Sequence, residues 1–237
     1  MENVWYKVHC FHQKVSSFLM NRPIVYLETL LSLGDELVKE NIGNEKYSIL
    51  FSLASVCEIV SDKRALSYWE QIISDNSNEE FFLRALLFEA MFYMKINDKE
   101  KGVAIAKQLL EESKNRCNDL YLLQTWEFFG KLYWQEEKYI QSVDAYSKML
   151  LYAKKIGDEN SQFRAYIKIG LSCEKVGKRG LALSYLLKAN IIAQKLNHST
   201  DIVLCEFFKG KIFADVGEYN RAKKANQKCE NILENIF

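Results

Sequence analysis

Few residues in this chain stand at spacings that could support chemistry. His9 and His12 lie three positions apart on a predicted helix with Cys10 beside them, and could offer two imidazoles and a thiol to a metal ion. No third or fourth ligand follows at a recognised spacing, so the pair reads as accidental, and neither a metal nor another cofactor is expected. His198, the last of three histidines, sits in a turn with Asn197, Ser199 and Thr200 and reads as a capping neighbour. Glu111-Glu112 and Glu136-Glu137 are adjacent carboxylates, which point to different sides of a helix and make poor acid–base pairs. The phosphate-loop pattern G-x-x-x-x-G-K-[ST], the dinucleotide pattern G-x-G-x-x-G and the nucleophile elbow G-x-S-x-G are missing. Six scattered cysteines (Cys10, Cys57, Cys117, Cys173, Cys205, Cys229) form no C-x-x-C pair and are expected to be reduced, mostly buried apolar residues. A protein that is not an enzyme is the expectation.

Composition narrows the class further. The 237 residues are 49% hydrophobic and 27% charged, which is ordinary soluble composition. Lys plus Arg is 32 against 31 Asp plus Glu, a net charge of +1, so a whole-molecule basic field for gripping nucleic acid is excluded. One proline and 10 glycines are too few for a turn-rich β fold and are most simply explained by long helices. No run reaches about 18 uncharged apolar residues, so no membrane partner is expected. The start, Met1-Glu2-Asn3-Val4-Trp5-Tyr6-Lys7, lacks a basic region followed by an apolar run, and the expected location is cytoplasmic.

The elements that would position any site are set by an internal repeat. Ala90, Gly130, Gly170 and Gly210 fall 40 residues apart. So do Ala85, Thr125, Ala165 and Cys205, then Tyr93, Tyr133, Cys173 and Phe213. Asn97, Glu137, Gly177 and Gly217 mark a turn column, and Gly102, Ser142, Ala182 and Ala222 complete a fifth. Small residues let two helix backbones approach closely, the aromatic column fills between them, and Asn or Gly ends the first helix.

Between the columns the spacing is helical. Val143, Tyr146, Leu150 and Ala153 share one face, and Leu183, Leu186, Leu187, Asn190, Ile191 and Gln194 repeat the pattern less cleanly. Ala222, Ala225, Cys229, Ile232 and Ile236 form a last stripe with charge elsewhere. Ser77-x-x-Glu80 has capping-box form, Asn44, Asp158 and Ser199 are expected caps, and Pro23 suits a first turn. Twelve helices in six antiparallel pairs are predicted, near 2–20, 23–40, 45–60, 63–74, 78–96, 99–115, 119–136, 139–156, 159–176, 179–196, 200–215 and 219–235.

The columns resemble tetratricopeptide (TPR) repeats. Phe129-Gly130-Lys131-Leu132-Tyr133 with Lys138-Tyr139-x-x-Ser142-Val143-x-x-Tyr146 looks like one unit, and Ile169-Gly170-x-x-Cys173-x-x-x-Gly177-x-x-x-x-Ala182 like another. The match runs over 81–237, extends to 45–80 through Ala54, Cys57, Ala65 and Trp69, and leaves 1–44 as divergent N-terminal helices. Each unit lacks the signature proline and carries about six residues beyond the usual length of about 34. The resemblance implies an all-α, right-handed superhelical solenoid, a single TPR-like helical repeat domain over 1–237, with first helices lining a concave wall.

On that implied wall stand Arg84, Phe88, Met91, Met94 and Lys95, then Gln124, Glu127, Phe128, Lys131, Trp134 and Gln135. Arg164, Lys168, Leu171, Glu174 and Lys175 follow, then Leu204, Phe208, Lys211 and Asp215. Basic heads among flat apolar surfaces suit a protein or peptide with acidic groups or a free carboxylate. The reading is a non-catalytic scaffold or adaptor, with a structural subunit, a peptide-sensing regulator or a secretion-type chaperone as alternatives. Residues 1–160 hold 19 basic and 24 acidic residues and 161–237 hold 13 and 7, an asymmetry that leaves self-association open. Arg221, Lys223, Lys224 and Lys228 form the most exposed-looking basic cluster.

Overall fold

In the computed structural model, residues 4–21, 26–40 and 43–235 are described. They form helices α1 (Val4–Asn21), α2 (Leu27–Lys39), α3 (Glu45–Ile59), α4 (Arg64–Asp75), α5 (Glu79–Lys95) and α6 (Lys99–Asn115). Then follow α7 (Asp119–Gln135), α8 (Tyr139–Ile156), α9 (Glu159–Lys175), α10 (Arg179–Lys195), α11 (Ser199–Asp215) and α12 (Tyr219–Glu234). No strand occurs among the described residues. The chain divides into two compact units, Met1–Asn115 and Arg116–Phe237, and within each unit every helix packs on the next.

The turn column is a column of left-handed backbone. Asn97, Glu137, Gly177 and Gly217 all have positive φ, at 64°, 58°, 80° and 78°. In each case the turn sends the chain back along the helix it has just left, and two of the four positions accept a non-glycine residue at a steric cost. A second such column, Cys117, Gly157 and Asn197, closes the second helices with φ of 53°, 74° and 54°. It escapes a reading by residue type, because Cys, Gly and Asn share no chemistry. Cys117 is accordingly exposed, whereas Cys57, Cys173, Cys205 and Cys229 are buried as expected.

The small columns sit where helices cross. Ala85, Thr125, Ala165 and Cys205 are fully buried, and so are Ala90 and Ala182. A Cβ built on Gly130 would come within 2.6 Å of the Tyr146 ring, so glycine here lets α7 and α8 touch. Ser142 donates to the Gly130 carbonyl at 3.1 Å and lies 3.2 Å from the Ser172 hydroxyl, which satisfies its polar atom inside the core. In the first unit Trp69 and Phe92 meet edge-on at 5.6 Å between α4 and α5. Each such side chain contributes roughly 1.5–3 kcal/mol by burial.

Polar side chains fix the helix ends. Asp158 accepts from the Ser161 amide at 3.0 Å, as expected of a cap. Burial pushes its carboxyl up, but the Ser161 hydrogen bonds outweigh that and hold the pKa below the usual value. Three capping expectations need correction. Asn78, not Ser77, caps α5, because its extended backbone aims Oδ1 at the Phe81 amide while the Ser77 hydroxyl donates to Asp75. Ser199 is the first residue of α11, and His198 occupies the cap position with its Nδ1 3.2 Å from Asp201. Asn44 has helical backbone angles and makes no side-chain cap bond. Asn118, which was not anticipated, caps α7 through the Tyr121 amide. Pro23 and Ile236 lie outside the described residues.

The face assigned to α10 is also corrected. Its buried stripe is Ala182, Leu186, Ala189, Asn190 and Ala193, while Leu187 and Ile191 are 50% and 65% exposed. Two adjacent leucines cannot both point inward on one helix, and the smaller column residues take the inside. Lysines at the ends of α8 and α10 close their hairpins: Lys155 pairs with Asp119 at 2.8 Å, and Lys195 with Glu159.

Candidate partner-binding face

In the second unit the first helices α7, α9 and α11 lie side by side, joined by ion pairs across each step. Glu127 of α7 pairs with Lys131 one turn on at 2.9 Å and with Arg164 of α9 at 3.5 Å. The Arg164 guanidinium also donates to the Ser161 hydroxyl at 2.9 Å. Glu174 of α9 pairs with Lys211 of α11 at 3.6 Å. Both carboxylates are mostly covered, at 17% and 15% exposed, whereas Lys131, Arg164 and Lys211 stand out to about half. The acid is therefore recessed and the base forward.

Lys168 and Lys175 are exposed on α9 and have no carboxylate partner among the described residues. Leu204 is 37% exposed, and Phe208 is half-buried against the Phe207 ring, which is itself 55% exposed. Phe128 departs from its expected place: it is 9% exposed and packs edge-on against Phe129. Trp134, half-buried and edge-on to Tyr139 at 5.1 Å, is the aromatic that α7 offers. Gln124 is half-buried, with its side-chain carbonyl unpartnered among the described residues.

The first unit presents a different arrangement. The Arg84 guanidinium lies 4.1 Å from the centre of the Phe51 ring and 6.0 Å from that of Phe88, which meets Phe51 edge-on at 5.0 Å. Met91 is 43% exposed. Lys95 is exposed and donates to the Glu58 carbonyl near the end of α3, so its charge is engaged with a helix C-terminus. Sequence spacing could have shown the Glu127–Lys131 pair, which is four residues apart on one helix. The Arg84–Phe51 and Glu127–Arg164 contacts join different helices and carried no such signal.

The histidines do not converge. His9 lies 2.9 Å from Gln13, while His12 is bonded to Ser48 at 3.0 Å and Ser52 at 3.3 Å on α3. Burial lowers the pKa of His12, opposed in part by Glu45. Among the described residues no group of three His, Cys, Asp or Glu side chains could hold a metal ion, and no helix is long and apolar enough to cross a membrane.

Consecutive helices packed in pairs, with a left-handed residue in the turn columns, form a helical-hairpin repeat of TPR-like fold. Solved structures agree. The chain is similar to BtubC (BKLC) from P. vanneervenii at 12% identity and a TM-score of 0.73, over 100% of this chain and 93% of that one. It is similar to the TPR-like repeats of a putative kinesin light chain from Podosopora anserina at 13% identity and a TM-score of 0.60, over 83% and 99%. It also matches a STAND protein with a tetratricopeptide repeat sensor from Pyrococcus horikoshii at 14% identity and a TM-score of 0.67, over 95% of this chain but 40% of that one. At these identities the likeness shows the fold. No protein-family model and no curated protein matches the sequence.

Proposed function

We propose that the protein is a non-catalytic scaffold or adaptor that holds a partner's acidic peptide, or a free C-terminal carboxylate, against the first-helix face of α7, α9 and α11. One observation carries the reading. Glu127 and Glu174 are recessed while Lys131, Arg164 and Lys211 project, and Lys168 and Lys175 are exposed on α9 with no carboxylate partner among the described residues. A recessed carboxylate holds its cations in place at little ordering cost and leaves the outer surface basic. Trp134, Leu204 and Phe208 supply apolar area between the charges.

On the first unit Arg84, Phe88 and Met91 offer similar chemistry, a half-buried guanidinium resting on aromatic faces and suited to a carboxylate. The proposal treats the chain as one repeat domain and places it in a reducing cytoplasmic setting, in keeping with six unpaired thiols. A peptide array graded in net charge tests it. Acidic and free-carboxylate peptides should be retained and basic ones refused, and Lys168→Glu should weaken retention about tenfold, a change of about 1.4 kcal/mol. Retention indifferent to peptide charge would defeat the proposal.

A further inference from the structure

A groove of about 390 Å³ opens among α10, α11 and α12, on residues that the first-helix face does not use. Leu183 and Leu187 of α10 and Phe213 of α11 give it an apolar floor. Leu187 is half exposed there, although an inward neighbour, Leu186, is fully buried. Charge surrounds the floor with one dominant sign. Glu206 is 3% exposed and accepts from Lys209 at 2.8 Å and Lys228 at 2.7 Å. One buried carboxylate thus fixes two ammonium groups, Lys209 mostly covered and Lys228 about half exposed, and neutralises only one of them. Arg221 lies 4.2 Å over the Phe213 ring and pairs with Glu218 at 2.7 Å. Lys224 is exposed and has no carboxylate partner among the described residues.

From this complementarity we infer that the groove docks an acidic segment of a partner protein that carries apolar side chains between its carboxylates. The floor needs apolar side chains, and the rim refuses a basic segment. Single-stranded nucleic acid would want open aromatic faces to stack on, and the one aromatic here, Phe213, is covered by Arg221. Docking here is separate from the first-helix face, so either can fail without the other.

Fluorescence polarisation on the full chain tests the assignment, with a labelled peptide of repeated Leu-Glu-Glu-Leu, its Leu-Lys-Lys-Leu counterpart and an oligothymidylate of equal charge as probes. With the first-helix face disabled by Lys131→Glu/Arg164→Glu, the Glu peptide should still bind, and Leu187→Asp and Lys224→Glu should each weaken it tenfold or more, while Lys107→Glu, exposed on α6 and outside both surfaces, leaves it unchanged. Both altered positions are exposed, and unaltered helical melting confirms the fold; should Leu187→Asp melt early, Lys224→Glu decides. No binding of the Glu peptide, equal affinity across the variants, loss with Lys107→Glu alone, or equal binding of either control probe would each overturn the assignment.

Discussion

Glu127 and Arg164 lie 3.5 Å apart across the step from α7 to α9, with the carboxylate recessed and the guanidinium forward. The pair does two things at once. It ties two first helices together, and it keeps a cation pointed outward. Both cations that Glu127 holds are about half exposed, so Glu127→Gln should change stability by less than about 1 kcal/mol. The same substitution should raise affinity for an acidic peptide severalfold by releasing two cations. Titration calorimetry beside thermal melting separates the effects.

Gly130 should resist even the smallest side chain. Alanine gains about 1 kcal/mol of helix propensity over glycine. Its methyl group would meet the Tyr146 ring, which is itself fully buried and has nowhere to move. Overpacking of this kind costs about 1–3 kcal/mol, so Gly130→Ala should come out net destabilising by up to about 2 kcal/mol in urea unfolding.

The turn columns predict opposite signs for two changes at equivalent places. Gly177→Ala forces a Cβ into left-handed backbone and should cost about 1–2 kcal/mol. Glu137→Gly removes that same strain, partly offset by the freer unfolded chain, and should stabilise by several tenths of a kcal/mol. Chemical denaturation of the two variants side by side checks the pair.

Two buried glutamates should give opposite pH dependences. Burial and the nearby Glu70 push Glu89 up to about 7, above its unfolded value of 4.5. Its contribution is therefore complete below pH 4.5 and is lost as pH rises through 7, on the order of 3 kcal/mol. Glu89→Gln should stabilise the protein at pH 8 and leave it little changed at pH 4. Burial pushes Glu206 up as well, but Lys209 and Lys228 outweigh it and hold the pKa below the usual range. Stability from Glu206 is present above its unfolded pKa and is lost as pH falls through the folded one. Melting curves from pH 4 to 8 on Glu89→Gln and Glu206→Gln distinguish the two.

Much of the fold was legible because it is written locally. Helix limits follow from periodicity and turn residues, and the column Asn97, Glu137, Gly177 and Gly217 marks its turns at four equal intervals. Close packing at Gly130 was legible for the same reason. What escaped was set by backbone angles and by which of two neighbouring side chains takes the core. Asn78 takes the cap because its backbone is extended there, and Leu187 faces outward because Leu186 takes the core. Phe128 turned inward because its ring packs on Phe129. The candidate face was legible in residue type, through Lys131, Arg164, Lys168 and Lys211. Its internal pairing was not, because Glu127 and Arg164 are 37 residues apart and meet only when α9 packs beside α7.

The central claim is that the first-helix face of the second unit captures a protein partner. Pull-down from a lysate of the source organism, comparing wild type with Lys131→Glu/Arg164→Glu, tests it most directly. Both side chains are about half exposed, so helical circular dichroism should be unchanged. The account predicts a partner retained by wild type and lost from the double variant. Equal capture of the same partner by both proteins would contradict it and favour a structural subunit that binds through another surface.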